Sequence, residues 1–392
     1  MKFTRDSVIR LLSGIRVIEV GHIVAGPTVG LLLSGLGAEV IKIERPGEGD
    51  ISRSMPVTGS SLGTFPFFNR GKKSVTINLQ TETGRGIFLK LIEKSDVLVD
   101  NLGRSSLERL RLGFQDTQKV NPNLIYLSVK GYGKGPYSER NSLDYPIEVE
   151  SGIAYMNGLN GRPMRLGSSM VDMTAAMFGV IGILNALLSR REGRKEERHI
   201  EIGLFETALF MMGQHIATTQ LTGRPMAPLN EVGFSWGIYD FFTTADGQRI
   251  FIAVATDSQW KKFCSSLNLE ICDNKDYQRN EDRYNNRSKL IPYLQNIISK
   301  HSYSDLIRIL DQIQGSYAKL NTPSDLLKHP HAVLKMTAIS WGGRTIKVPT
   351  IPGGEDQPTL NVPDLGGDSV QVLQELGYDR GSIENMRKNG II

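Results

Sequence analysis

The stretch GSSMVDMTAAMFGVIGILNALLSRREG sets one aspartate, Asp172, between a turn of small residues and an almost unbroken apolar run. A carboxylate at such a place can do one of two things. As an N-cap it accepts hydrogen bonds from the free N–H groups of the first helical turn, a role aspartate fills well. Ala175, Ala176 and the run behind them favour helix, and Gly193 beyond Arg190 and Arg191 supplies a stop. Alternatively, the helix dipole holds the carboxylate ionised while apolar neighbours strip it of water. It is then a nucleophile toward an activated acyl group. Gly167, Ser168 and Ser169 leave room for a substrate and offer donors. Arg162 and Arg165 stand just upstream. If they do more than decorate a solvated loop, they suit a second carboxylate, as in succinate, mesaconate or itaconate. The residue types alone leave both readings of Asp172 open.

Other chemistries find less support. A dinucleotide site needs Gly-x-Gly-x-x-Gly after the first strand and an acid at the end of the second. Glu44 is suitably placed, but the turn reads GHIVAGP. The nearest histidine pair, His329 and His331 around Pro330, reads as a loop rather than a metal site. No Gly-x-Ser-x-Gly elbow follows a strand, and VTGSSLG reads as a loop.

The elements that must position Asp172 begin with IRVIEV, GHIVAGP, TVGLLLSGLG and AEVIKIE, and continue through KSVTINL, GRGIFLKLIEKS, DVLVDN and LIYLSVKG. Apolar strands alternating with helical patterns predict βαβ units and a parallel sheet. Ligands of such sheets lie beyond the carboxyl ends of the strands. That rule places His22, Arg45, Asn101 and Lys130 in one crevice. Further on, GIYDFFTTADGQRIFIAVA reads as a hairpin turning at Gly247, inside a smaller α+β region. The tail returns to strand-like TAISWGGRTIKVP and a final helix, DSVQVLQELG.

Composition narrows the class. With 392 residues, 40% hydrophobic and 22% charged, the chain reads as an ordinary globular protein of two or three domain-sized pieces. The net charge of +5 suits an anionic ligand. Its cations are interspersed with acids and form no basic stripe, which argues against nucleic acid. Cys264 and Cys272 are the only cysteines and read as reduced, buried thiols in the cytosol. The N-terminus is too polar for a secretory signal. The apolar run from Met173 to Ser189 falls short of a membrane span and reads as a buried core helix.

The motifs taken together resemble the class III CoA-transferases, the formyl-CoA transferase and carnitine CoA-transferase family. The match runs over nearly the whole chain. It rests on LSGIRVIEVGHIVAGPTVGLLLSGLGAEVIKIERPGEGD, NRGKKSVTINL, DVLVDN, NPNLIYLSVKGYGKGPYSER, GSSMVDMTAAMFGVIGILNAL and TADGQRIFIAVATDSQWKKFC. Asp172 falls on the family's catalytic aspartate. The resemblance implies an α/β fold in which a Rossmann-like large domain (1–224, rejoined by 326–392) carries a small α+β domain (225–325). It also implies a homodimer of two interlocked, ring-like chains. Coenzyme A and its thioesters are substrates, a small carboxylic acid is the second partner, and no prosthetic group or metal is required. The CoA contacts implied are His22, Ile23, Arg45, Ile77, Asn101, Arg109, Lys130 and Tyr132.

The chain departs from the family pattern at several points. No run of glycines occurs in PLNEVGFSWGIYDFF, which argues against oxalate or formate. NLGRSSLERL replaces the Asn-Phe-x-Pro-Gly turn, so the contact at Leu102 is in question, and Gln80 stands where some members place a lysine. α-Methylacyl-CoA racemases of the same superfamily use a histidine where this chain has Leu143. A racemase-like enzyme and a non-catalytic CoA-binding protein remain the alternatives.

Overall fold

A computed structural model describes residues 11–55, 61–194, 198–232, 236–353 and 361–392. The N-terminal segment, VTGSSLG and the stretch around Gly233 fall wholly or partly outside these residues. The chain divides into two compact units. One comprises Met1–Ala154, Arg165–Arg224 and Leu334–Ile392; the other comprises Tyr155–Met164 and Pro225–Val333. The second unit thus runs to Val333 and includes the earlier segment Tyr155–Met164.

The first unit is built on six strands: β1 (Arg16–Val20), β2 (Glu39–Glu44), β3 (Lys73–Thr76), β4 (Val97–Asp100), β5 (Ile125–Lys130) and β6 (His199–Gly203). All neighbours are parallel, in the order β3-β2-β1-β4-β5-β6. This is the doubly wound Rossmann order. Its switch point, where ligands bind, lies between β1 and β4. Strands covered on both faces read as continuous apolar runs, and β4 and β5 are buried along their whole length.

Two charges break that rule in the middle of the sheet. Glu19 on β1 and Lys42 on β2 are fully buried, with Lys42 Nζ 2.8 Å from Glu19 Oε1 and 2.9 Å from Asp50 Oδ2. Lys72 Nζ meets the other Glu19 oxygen at 2.6 Å. Each buried charge is paired, as its desolvation requires. The network also shapes the loop after β1, because Lys42 donates to the carbonyl of Gly21 at 2.6 Å.

The Asp172 helix, Met170–Arg191, lies on this sheet. Its inner face is Val171, Ala175, Ala176, Gly179, Val180 and Ile183. A Cβ at Gly179 would stand 2.8 Å from Leu127 Cδ2 on β5, so glycine lets the helix settle closely. Gly193, at φ +72°, ends it as expected. The opposite face does not match a core helix. Met177, Ile181, Leu184 and Leu188 form one stripe at helical spacing and are exposed, Ile181 by 60%. Among the described residues this is the one helix long and apolar enough to cross a membrane, and only a third of its most apolar window is buried. An apolar composition shows that a helix wants cover on every side, not that one chain supplies it.

The second unit holds the expected hairpin, β7 (Ile238–Thr243) with β8 (Arg249–Val254), turning at Gly247 with φ +75°. A third antiparallel strand, β9 (Ser316–Lys319), completes the sheet. The expected free thiols are overturned: Cys264 and Cys272 form a disulfide, with Cα atoms 5.7 Å apart. Cys264 lies in the last turn of the helix Asp257–Leu267, and the chain reverses at Asn268 (φ +49°), bringing Cys272 back alongside.

Candidate active site

At the switch point of the large sheet lies a cavity of about 470 Å³. The loops after β1 and β4 and the end of β5 line it with His22, Ile23, Asn101 and Lys130, and the start of the Asp172 helix closes another side with Ser169 and Asp172. Asn101 ties two of these loops together. Its Oδ1 accepts from the His22 N–H at 2.8 Å and its Nδ2 donates to the His22 carbonyl at 3.1 Å. The clamp explains two glycines of GHIVAGP, since a Cβ at Gly21 or Gly26 would stand 2.6 or 2.8 Å from Asn101 Oδ1. Between them Ile23 has φ +67°, a left-handed conformation that a β-branched residue adopts only under constraint. Its N–H donates to Asp50 Oδ1 at 3.2 Å, which joins the loop to the buried charge network.

Asp172 sits in the third position of its helix, not at the N-cap. The N-cap is Ser169, whose side chain makes no capping bond. That duty falls to a different residue. Asp144, which begins the helix Asp144–Glu150, accepts from the N–H groups of both Val171 and Asp172 through Oδ1, each at 3.1 Å. Arg165 Nη2 donates to Asp144 Oδ2 and to Ser169 Oγ, each at 3.2 Å. One turn on from Asp144, Glu148 is fully buried and accepts from the Leu166 N–H at 2.9 Å. A carboxylate from a neighbouring helix therefore satisfies the free donors, and the Asp172 carboxylate is left to face the cavity.

The surroundings set its acidity. Burial pushes the Asp172 carboxyl up to about 7, the charge of Asp144 adds to this, and Arg165 opposes it. Glu148 is pushed up to about 7 by burial and by its neighbour Asp144. A poorly solvated carboxylate with a raised pKa is more basic than an ordinary one, and so a better nucleophile when ionised.

The family model for CoA-transferase family III matches residues 12–369. The chain belongs to that family. It is 30% identical to a succinyl-CoA:glutarate CoA-transferase of Mus musculus over 97% of this chain and 90% of that protein. It is likewise 30% identical to an acetyl-CoA:oxalate CoA-transferase of Acetobacter aceti, over 88% and 90%. A crystal structure of a CAIB/BAIF family protein from Brucella suis superposes with a TM-score of 0.79 at 28% identity, covering 93% of this chain and 98% of the other. As a family III CoA-transferase the chain uses CoA thioesters as substrates.

The residues that the sequence put forward for CoA divide into two groups. His22, Ile23, Asn101 and Lys130 line the transferase's cavity, but Arg45, Ile77, Arg109 and Tyr132 do not. Arg45 follows β2, on the far side of β1 from the switch point, where it is exposed and pairs with Glu48 at 3.2 Å. Ile77 is a core residue, Arg109 is exposed at the end of the short helix Ser106–Arg109, and buried Tyr132 donates to Glu150 Oε2 at 2.5 Å. Lys130 is held inside the fold, bonded to Asp100 Oδ2 at 2.6 Å and to the Leu102 carbonyl at 2.9 Å. It shapes the β4 loop more than it offers a loose point charge.

Three charged wall residues escaped the sequence reading: Arg104, Arg140 and Asp144. Arg104 donates to the Tyr132 carbonyl at 3.0 Å. Arg140 makes a two-pronged pair with Glu150 at 3.0 and 3.1 Å and lies over the rings of Tyr132 and Tyr137. A signal for Asp144 was available in DYPIE, where acids four residues apart fall on one helix face. Arg162 belongs to the second unit, whereas Arg165 belongs to the first and lines the cavity.

Proposed function

We propose that this family III CoA-transferase moves CoA from an acyl-CoA to a small dicarboxylate, with Asp172 as the covalent carrier. The observation that carries the reading is that Asp172 faces the switch-point cavity while Asp144 does the capping in its place. The Asp172 carboxylate attacks the thioester carbonyl of the donor, forming a mixed anhydride and releasing CoA thiolate. The thiolate attacks the aspartyl carbonyl, giving an aspartyl–CoA thioester and freeing the donor acid. The acceptor carboxylate attacks that thioester, forming a new anhydride and again releasing thiolate. The thiolate then takes the acceptor acyl group and regenerates Asp172. No net proton is gained or lost, so the site needs a good nucleophile rather than an acid–base pair. The dicarboxylate assignment is supported by relatives whose names carry glutarate, succinate and oxalate. Arg104 and Arg140 place positive charge on the same wall as the CoA-side loops, which suits a polyanion.

The test is intact-protein mass spectrometry after brief exposure to a panel of acyl-CoAs. A CoA or acyl adduct should form on the wild type and not on Asp172→Asn. Exchange of the donor's α-proton without any adduct would instead identify a racemase-like enzyme. We further propose that a second copy of the chain covers the stripe Met177, Ile181, Leu184 and Leu188. Light scattering should report a dimer, and Ile181→Glu should lower the mass to that of one chain.

A further inference from the structure

A dicarboxylate brings two charges into the cavity, and Asp172 engages only one end of it. Arg165 lines that cavity together with Asp172, and about half of its side chain (48%) is open. Its bonds to Asp144 and Ser169, at 3.2 Å each, are longer than the 2.7–2.9 Å usual for a charge-assisted N–H···O pair. A guanidinium carries five donors in a planar fork, so bracing Asp144 and taking up a second carboxylate are compatible. The wall beside it is apolar. Leu143 and Tyr145 line the same cavity with 66% and 39% of their surface exposed, and the Arg165 guanidinium lies 5.8 Å from the Tyr145 ring centre. Exposed apolar side chains next to a cation suit a short methylene chain ending in a charge, whereas a monocarboxylate would leave that cation without a new partner.

We propose that Arg165 is the specificity-determining residue of the acceptor site: it binds the distal carboxylate while Leu143 and Tyr145 hold the methylenes. The inference rests on the dicarboxylate reading given above. Its test compares kcat/KM for succinate and glutarate with that for butyrate and valerate, using the donor that labels Asp172. Wild type, Arg165→Met and Arg165→Lys are measured side by side, with thermal melts to confirm folding.

The wild type should prefer the dicarboxylates. Arg165→Met should lower the dicarboxylate-to-monocarboxylate ratio of kcat/KM roughly 10- to 100-fold, the range for a hydrogen bond to a charged group, because any loss through Asp144 or the acidity of Asp172 falls on all four acids alike. Arg165→Lys should keep part of the preference, since it keeps the charge but not the fork, and it carries the test if the methionine variant does not fold. A parallel loss on all four acids would overturn the proposal and reduce Arg165 to a brace for Asp144. Unchanged selectivity in both variants would overturn it too. A wild type that forms the adduct yet shows no dicarboxylate preference would sink the substrate class along with it. Failure to form any adduct would instead strike at the transferase mechanism itself.

Discussion

Replacing Asp144 with Asn separates what its charge does to Asp172 from what its oxygen does. The oxygen accepts from the Val171 and Asp172 N–H groups at 3.1 Å each, and an amide oxygen can accept the same two bonds. The charge disappears. At present it adds to burial in raising the Asp172 carboxyl to about 7. For a separation of roughly 6 Å and an effective dielectric constant of about 40, the Coulomb energy is ~1.4 kcal/mol, or about one pH unit. Arg165, relieved of its Asp144 partner, would pull in the same direction. The nucleophile must be ionised, so the rate of adduct formation falls as pH drops through this pKa. Quenched-flow mass spectrometry between pH 5 and 9 should therefore place the acid limb near 7 in the wild type and near 6 in Asp144→Asn. The plateau should be slightly lower, because a less basic carboxylate is a weaker nucleophile. A limb that stays near 7 in a variant with an unchanged melting temperature would refute this account of the site's electrostatics.

Three further outcomes follow from the geometry. Gly30→Ala would drive a Cβ into Glu19 Oε2 and to within 3.1 Å of Lys72 Nζ, disturbing a fully buried ion pair. We expect a loss of about 3–5 kcal/mol in urea unfolding, and a loss under 1 kcal/mol would show that the network yields easily. Glu148→Gln removes a carboxyl raised from 4.5 to about 7. The folded chain holds that proton while the unfolded chain releases it, so wild-type stability is lost as pH rises from about 4.5 through 7. The variant should lack up to about 3 kcal/mol of this slope, read from melting temperatures at pH 5 and 8. Ile23→Gly relieves a φ of +67° worth about 1 kcal/mol but takes a side chain out of the cavity wall. The melting temperature should hold or rise while the KM for acyl-CoA increases; an unchanged KM would remove Ile23 from the CoA site.

The strand–helix alternation was legible because buried parallel strands announce themselves as apolar runs, and the strand ends then pointed to His22, Asn101 and Lys130. The same rule put Arg45 forward as well, since it says that ligands lie beyond strand ends but not beyond which strands. Only the order β3-β2-β1-β4-β5-β6 shows that β2 lies away from the switch point. The disulfide was hidden for a similar reason, as eight residues of separation say nothing about a reversal at Asn268. The exposed stripe on the Asp172 helix was hidden too, because composition records an appetite for cover and not its source.

The choice between cap and nucleophile at Asp172 shows the limit most clearly. Both readings use the same residue types at the same spacing, so no local pattern could decide between them. The capping bonds go to Asp144, 28 positions earlier in the chain and brought to the helix start by the fold. Had no other acceptor reached the Val171 and Asp172 N–H groups, Asp172 would have been drawn back onto its own helix end, since unpaired donors at a partly buried terminus are costly. With Asp144 holding those donors and Arg165 holding Asp144, the carboxylate of Asp172 is available to the cavity, as the proposed nucleophile requires.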